Sequence, residues 1–101
     1  MNLVDSKKGE RIRFSKNPKR PRKCTLFTVR KDKHIYFGIS KWNMKSDKYD
    51  KAEGVKQARE RAYAATNAPA NVDMYITDDG LMGKCRIRDA VFVIQHFRRF
   101  R

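Results

Sequence analysis

The chain has 101 residues, enough for one modest domain and too few for two. It carries 25 Lys and Arg against 11 Asp and Glu, a net charge of +14, with a hydrophobic fraction of only 40%. A small core inside a heavily charged exterior is expected. Eleven aromatic residues (six Phe, four Tyr, one Trp) argue against full disorder, and no apolar run approaches the length of a membrane span.

The cations are unevenly placed. Residues 1–23 are net +7 (nine basic, two acidic), 24–51 net +4, 52–81 net −2 and 82–101 net +5. A fold that carries this much positive charge repels itself, so an anionic partner is expected: nucleic acid, or an acidic protein surface. The first residues lead straight into Lys7 and Lys8 without the apolar segment of a signal peptide, which points to a cytoplasmic protein that does not engage membranes. Cys24 and Cys85, far apart in sequence, read as reduced core thiols rather than a disulfide.

In chain order, residues 1–23 read as a flexible basic arm that includes a short edge strand at 11–14. Its stretch Asn17-Pro18-Lys19-Arg20-Pro21-Arg22-Lys23 has two prolines and too many cations for a helix or a central strand. A single domain over 24–101 follows. It opens with a hairpin, strands at 25–30 and 34–40 around the polar turn Lys31-Asp32-Lys33. Alternation assigns Phe27, Val29, Ile35, Phe37 and Ile39 to buried faces. The other parity carries Leu26, Thr28, Arg30, His34, Tyr36, Ser40 and Trp42, a mixed aromatic and cationic surface.

Asp50 then caps a helix with Glu53 three residues on, and Val55, Ala58, Ala62 and Ala65 recur at helical spacing. The small stripe suits close packing on a sheet. Asn67-Ala68-Pro69 ends the helix, Val72–Thr77 alternates as a strand, and Asp78-Asp79-Gly80 marks a turn. The last apolar run, 90–94, favours a strand through its β-branched residues. Ala90, Val93, Ile94 and Phe97 also fit a helical stripe that starts from Asp89. The expected fold class is α+β, a small antiparallel sheet of four to five strands with one helix packed on one face and a basic tail.

No motif joins His34 or His96 to a nucleophile. No CxxC pair offers a zinc site, and no glycine-rich loop offers a phosphate cradle. No enzyme activity, metal or other cofactor is therefore expected. The expected site is a nucleic-acid-binding surface, for RNA or DNA, built from three cationic features. Lys19, Arg20, Arg22 and Lys23 form one arm, Arg98, Arg99 and Arg101 form a tail, and Arg30, Tyr36, Lys41 and Trp42 lie on the hairpin. Cations bind the phosphate chain through counterion release, and exposed aromatics stack on unpaired bases. Equally, Tyr36 and Trp42 fit a second sheet face covered by the amino-terminal segment, and Phe97 and Phe100 fit the core.

Tyr36-Phe37-Gly38-Ile39-Ser40, Asp47-Lys48-Tyr49-Asp50-Lys51, Gly54 and Ala58 to Arg61-Ala62 resemble small uncharacterised early proteins of tailed bacteriophages. The resemblance covers about a quarter of the chain. It implies a part in host takeover, with a host nucleic-acid enzyme or its template as the target. The alternative function is a protein inhibitor or adaptor that docks on an acidic surface of such an enzyme.

Overall fold

A computed structural model describes residues 9–17, 22–43 and 51–99. They form a five-stranded antiparallel sheet with two helices, an α+β fold. The strands are β1 (Glu10–Asn17), β2 (Arg22–Lys31), β3 (His34–Asn43), β4 (Tyr75–Ile76) and β5 (Met82–Arg86), in the spatial order β1-β2-β3-β5-β4. Helix α1 (Lys51–Ala64) follows β3 and α2 (Ala90–Arg98) follows β5. No helix among the described residues is long and apolar enough to cross a membrane.

The β2–β3 hairpin turns through Asp32 and Lys33, with Lys31 opposite His34. Asp32 takes φ 58°, a left-handed conformation that Asp tolerates better than most residues. This even-length turn pairs odd residues of one strand with even residues of the other: Val29 faces Tyr36, and Arg30 faces Ile35. Each sheet face therefore mixes the two parity sets read from the sequence. One face joins Phe27, Val29 and Tyr36 to Ala58, Ala62 and Ala65. The other joins Cys24, Leu26, Ile35, Phe37, Ile39 and Cys85 to Val93 and Phe97. Both faces are buried where a helix covers them, which leaves no open aromatic face at Tyr36.

Helix α1 lies on the first face because its contact residues are small. Val55, Ala58, Ala62 and Ala65 are fully buried or nearly so, and Gly38 of β3 sits beneath them. A Cβ on Gly38 would meet the Ala58 carbonyl oxygen and come within 2.7 Å of the Arg61 Cβ. Ser40 Oγ donates to the Gly54 carbonyl at 2.7 Å, and Arg61 Nη1 donates to the Ile39 carbonyl at 2.6 Å, which fixes the helix along β3. The sheet edge is tied to the same helix. The Glu10 carboxylate is buried, accepts a hydrogen bond from the Tyr63 hydroxyl and lies 3.6 Å from Arg59 Nη2. Arg59 in turn stacks over Phe27, 5.7 Å from the ring centre. The hydrogen bond to Glu10, then burial, raises the Tyr63 pKa.

Three expectations need correction. The run 90–94, read towards a strand, is helix α2, so the sheet carries two helices rather than one. Its β-branched content yields to tertiary need, because the second face exposes Leu26, Phe37 and Ile39 and requires an apolar cover. Only Tyr75–Ile76 of the stretch Val72–Thr77 is strand, since the Val72 N–H bonds back to the Pro69 carbonyl at 3.2 Å. Part of the proposed arm is also structured: residues 10–17 form β1, and Arg22 and Lys23 begin β2. Asp50, the expected cap of α1, lies outside the described residues.

The Asp78-Asp79-Gly80 turn forms as read. Asp79 accepts from the Thr77 hydroxyl (2.6 Å) and the Leu81 N–H (2.9 Å), which together lower its pKa, and Gly80 takes φ 73°. His96 of α2 makes a 2.8 Å hydrogen bond from Nε2 to the Gly80 carbonyl, so this histidine docks α2 on the β4–β5 turn. Both cysteines are buried and neither is in a disulfide, and desolvation pushes the Cys85 thiol up to about 11.

Substitution Gly38→Ala is expected to destabilise the fold by about 1–3 kcal/mol or more, because the added methyl group meets helix backbone that cannot move aside cheaply. Urea denaturation monitored by far-ultraviolet circular dichroism measures it; an unchanged midpoint would show that α1 does not seat on β3 at this point.

Candidate nucleic-acid interface

Helix α2 covers only part of the second sheet face, packing on β3 and β5. Beside it, the β1–β2 half of that face is left as a groove. Two cavities of about 280 and 290 Å³ run along it and share Arg11, Thr28 and Ile94. Leu26 and Ile35 form apolar floor, and Ala90, Val93 and Ile94 of α2 form one wall.

The groove is cationic because of strand register. Arg11 pairs with Thr28 and Arg13 with Leu26, and the Arg30 N–H bonds to the Gly9 carbonyl at 2.9 Å. Alternate residues of a strand share a face about 6.7 Å apart, and diagonal neighbours on adjacent strands stand about 7–8 Å apart. Arg11, Arg13 and Arg30 thus form a triangle on one surface. All three are exposed. None of their guanidinium groups has an ion-pair or hydrogen-bond partner among the described residues.

Of the residues expected to bind, the fold brings some together and separates others. Arg30 lies in the groove. Arg98 is exposed one helical turn beyond Ile94, on the same side of α2, and Arg99 is exposed at the helix end. Lys41 is exposed opposite Cys24, roughly 20 Å along the sheet from Arg30. Tyr36 is 9% exposed and sits under α1, on the face opposite Arg30 and Lys41, so it offers no stacking surface. The even-length hairpin turn is the reason: it puts Tyr36 on the same face as Val29 and not Arg30. Arg22 and Lys23 pair with Asn43 and Trp42 at the end of the β2–β3 ladder. Lys19, Arg20 and Arg101 lie outside the described residues.

Arg11 and Arg13 were not among the expected contacts. Their signal was the alternation Arg11-Ile12-Arg13-Phe14, which became informative only once β1 was known to pair with β2.

At the turn end of the sheet lies a larger cavity of about 640 Å³, and Ile87 lines both it and the groove. The hairpin turn and the short 3-10 turn Ile87–Asp89 meet here through the Ile87 N–H and the Lys33 carbonyl, 3.1 Å apart. His34 Nε2 stands 3.2 Å from Asp73 Oδ1, and Arg86 bonds to the other oxygen of the same carboxylate. Arg86 first, then His34, holds the Asp73 carboxyl down at about 2. No serine, threonine or cysteine is among the described residues that line this cavity. Among the described residues no group of three or more His, Cys, Asp or Glu is placed to hold a metal ion.

No protein-family model, no curated protein and no solved structure matches this chain.

The lowered pKa of Asp73 sets a pH signature. The unfolded carboxyl protonates near 3.8 and the folded one near 2, so its stabilising contribution is complete above about pH 4 and disappears as pH falls through 2. Thermal melts between pH 5 and 2 should therefore fall more steeply for the native chain than for Asp73→Asn. Parallel curves would show that the Arg86 and His34 contacts do not persist in solution.

Proposed function

We propose that this protein binds nucleic acid, RNA or DNA, through the arginine groove between the β1–β2 ribbon and α2, and that it binds rather than catalyses. The observation that carries the reading is the triangle of Arg11, Arg13 and Arg30, three exposed cations without a partnering carboxylate among the described residues. Folding does not need these charges, and placing them side by side has a repulsive cost. A phosphate chain removes that repulsion and releases its own counterions. Arginine also suits phosphate, because its planar fork donates two parallel hydrogen bonds.

Arg98 and Arg99 extend the positive surface beyond the far end of the groove, and the reading assigns further contacts to Lys19, Arg20, Arg22, Lys23, Lys41, Trp42 and Arg101. The reading places the protein in the cytoplasm, where thiols such as Cys24 and Cys85 stay reduced. The likeness to phage early proteins supports a role in host takeover. A second reading, an inhibitor or adaptor docking on an acidic protein surface, draws support from the apolar groove floor at Leu26, Ile35 and Ile94.

Fluorescence anisotropy with labelled duplex and single-stranded oligonucleotides at several salt concentrations tests the first reading. Each phosphate contact contributes about 0.9 to the log–log salt slope on duplex and about 0.7 on single strands. Replacing Arg11, Arg13 and Arg30 together by Ala should flatten the slope by about 2–3 on duplex and weaken binding steeply at low salt. The same slope and affinity in the triple variant would remove the groove from the interface. A pull-down from lysate separates the two readings: partners lost after nuclease treatment indicate nucleic acid, and one stoichiometric protein that survives it indicates the adaptor.

A further inference from the structure

The 640 Å³ cavity at the hairpin turn is not needed to bind internal phosphates of a strand lying in the groove; it shares Ile87 with that groove and reaches around the end of the sheet to His34 and Arg86, which have the parity of Tyr36. Lys33, Arg86 and Arg88 line it, with Asp32 and Asp73 as the carboxylates. Asp73 is already bonded to Arg86 and His34, so it acts as a brace that sets Arg86 rather than as a free negative charge. Asp32 occupies the left-handed position of the turn and is exposed. Lys33 and Arg88 are exposed and have no ion-pair partner among the described residues. Two free cations and one braced arginine thus line a space at the turn end of the groove, with Asp32 as the one carboxylate there not bonded to Arg86 and His34.

We propose that this cavity receives a terminal phosphate, the phosphomonoester at the end of a nucleic-acid strand whose body lies in the arginine groove. The proposal rests on the nucleic-acid reading above. A phosphomonoester carries close to two negative charges at pH 7 and three acceptor oxygens, whereas each internal phosphodiester carries one charge. Lys33, Arg86 and Arg88 together offer the charge and the number of donors that such a group can use. Internal phosphates gain less from this cluster, because each carries one charge and exposes only two non-bridging oxygens. His34, held at the cavity wall by Asp73, adds a further ring nitrogen to the lining.

The test uses the full chain and three single-stranded ten-mers of one sequence, labelled internally, with a 5′-phosphate, a 3′-phosphate or hydroxyl groups at both ends. One of the two phosphorylated forms is expected to bind about ten-fold more tightly than the hydroxyl form, the scale of one or two charge-assisted hydrogen bonds. The double variant Lys33→Ala/Arg88→Ala should lose that preference while it binds the hydroxyl form within about two-fold of the native chain. Lys56→Ala, an exposed cation on α1, should keep the preference and so controls for net charge. Equal affinity for all three ten-mers in the native chain overturns the end site and leaves the groove standing. A preference that persists in the double variant also overturns it, since the charge is then read elsewhere. Failure of every ten-mer to bind overturns the nucleic-acid reading and the end site with it.

Discussion

The contact on which the rest of the molecule depends is the seating of α1 against Gly38. Three alanines and a valine on one side of the helix allow its backbone to approach β3 closely, and glycine is the residue that leaves room for it. Polar bonds from Ser40 and Arg61 then set the helix along the strand. On the other face the apolar groups Leu26, Phe37, Ile39 and Phe97 form a second core, where α2 covers the sheet. A chain of low hydrophobic content thereby closes two thin cores on the two sides of one sheet. The central strand β3 belongs to both, and residues 35–40 are buried throughout.

The same arrangement sorts the charges. Glu10 is turned under α1 to Arg59 and Tyr63, and Asp73 and Asp79 are held near the far edge by Arg86, His34 and Thr77. Glu53 and Glu60 are on α1, across the sheet from the groove. The groove side of β1 and β2 thus carries Arg11, Arg13 and Arg30 with no neighbouring carboxylate on those strands, because the one acid of β1 has the opposite parity. In the proposed complex, binding energy for a phosphate chain would arise from this separation more than from total charge, since cations interleaved with acids would present no continuous positive potential.

The local features were the legible ones. The hairpin at Asp32-Lys33, the alanine helix and the Asp78-Asp79-Gly80 turn are each encoded within a few residues, and each forms where the residues indicate. What was hidden depends on pairing between distant segments. The side on which Tyr36 falls is decided by turn length, and Arg11 and Arg13 join Arg30 only through the β1–β2 register. The helix at 90–98 was masked by Val91, Val93 and Ile94, whose strand preference is overruled by an uncovered sheet face. The Asp73–Arg86 bond left no local trace, because two ordinary surface residues meet only when β4 pairs with β5. Cations were expected on the arm, the tail and the hairpin; of these Arg30 lies in the groove, where Arg11 and Arg13 join it.

The burial of Glu10 reaches further than local packing. Its hold on Tyr63 and Arg59 clamps the outermost strand to α1, so Arg11 and Arg13 stand on a fixed support and not on a free tether. Ordering a loose segment at the moment of association subtracts from affinity, and each long side chain that must be immobilised with its backbone adds to that loss. Here the backbone share of the loss is met during folding, in a bond made on the opposite side of the sheet. A single carboxylate on the far face of the sheet would thus lower the entropy that the proposed capture has to overcome.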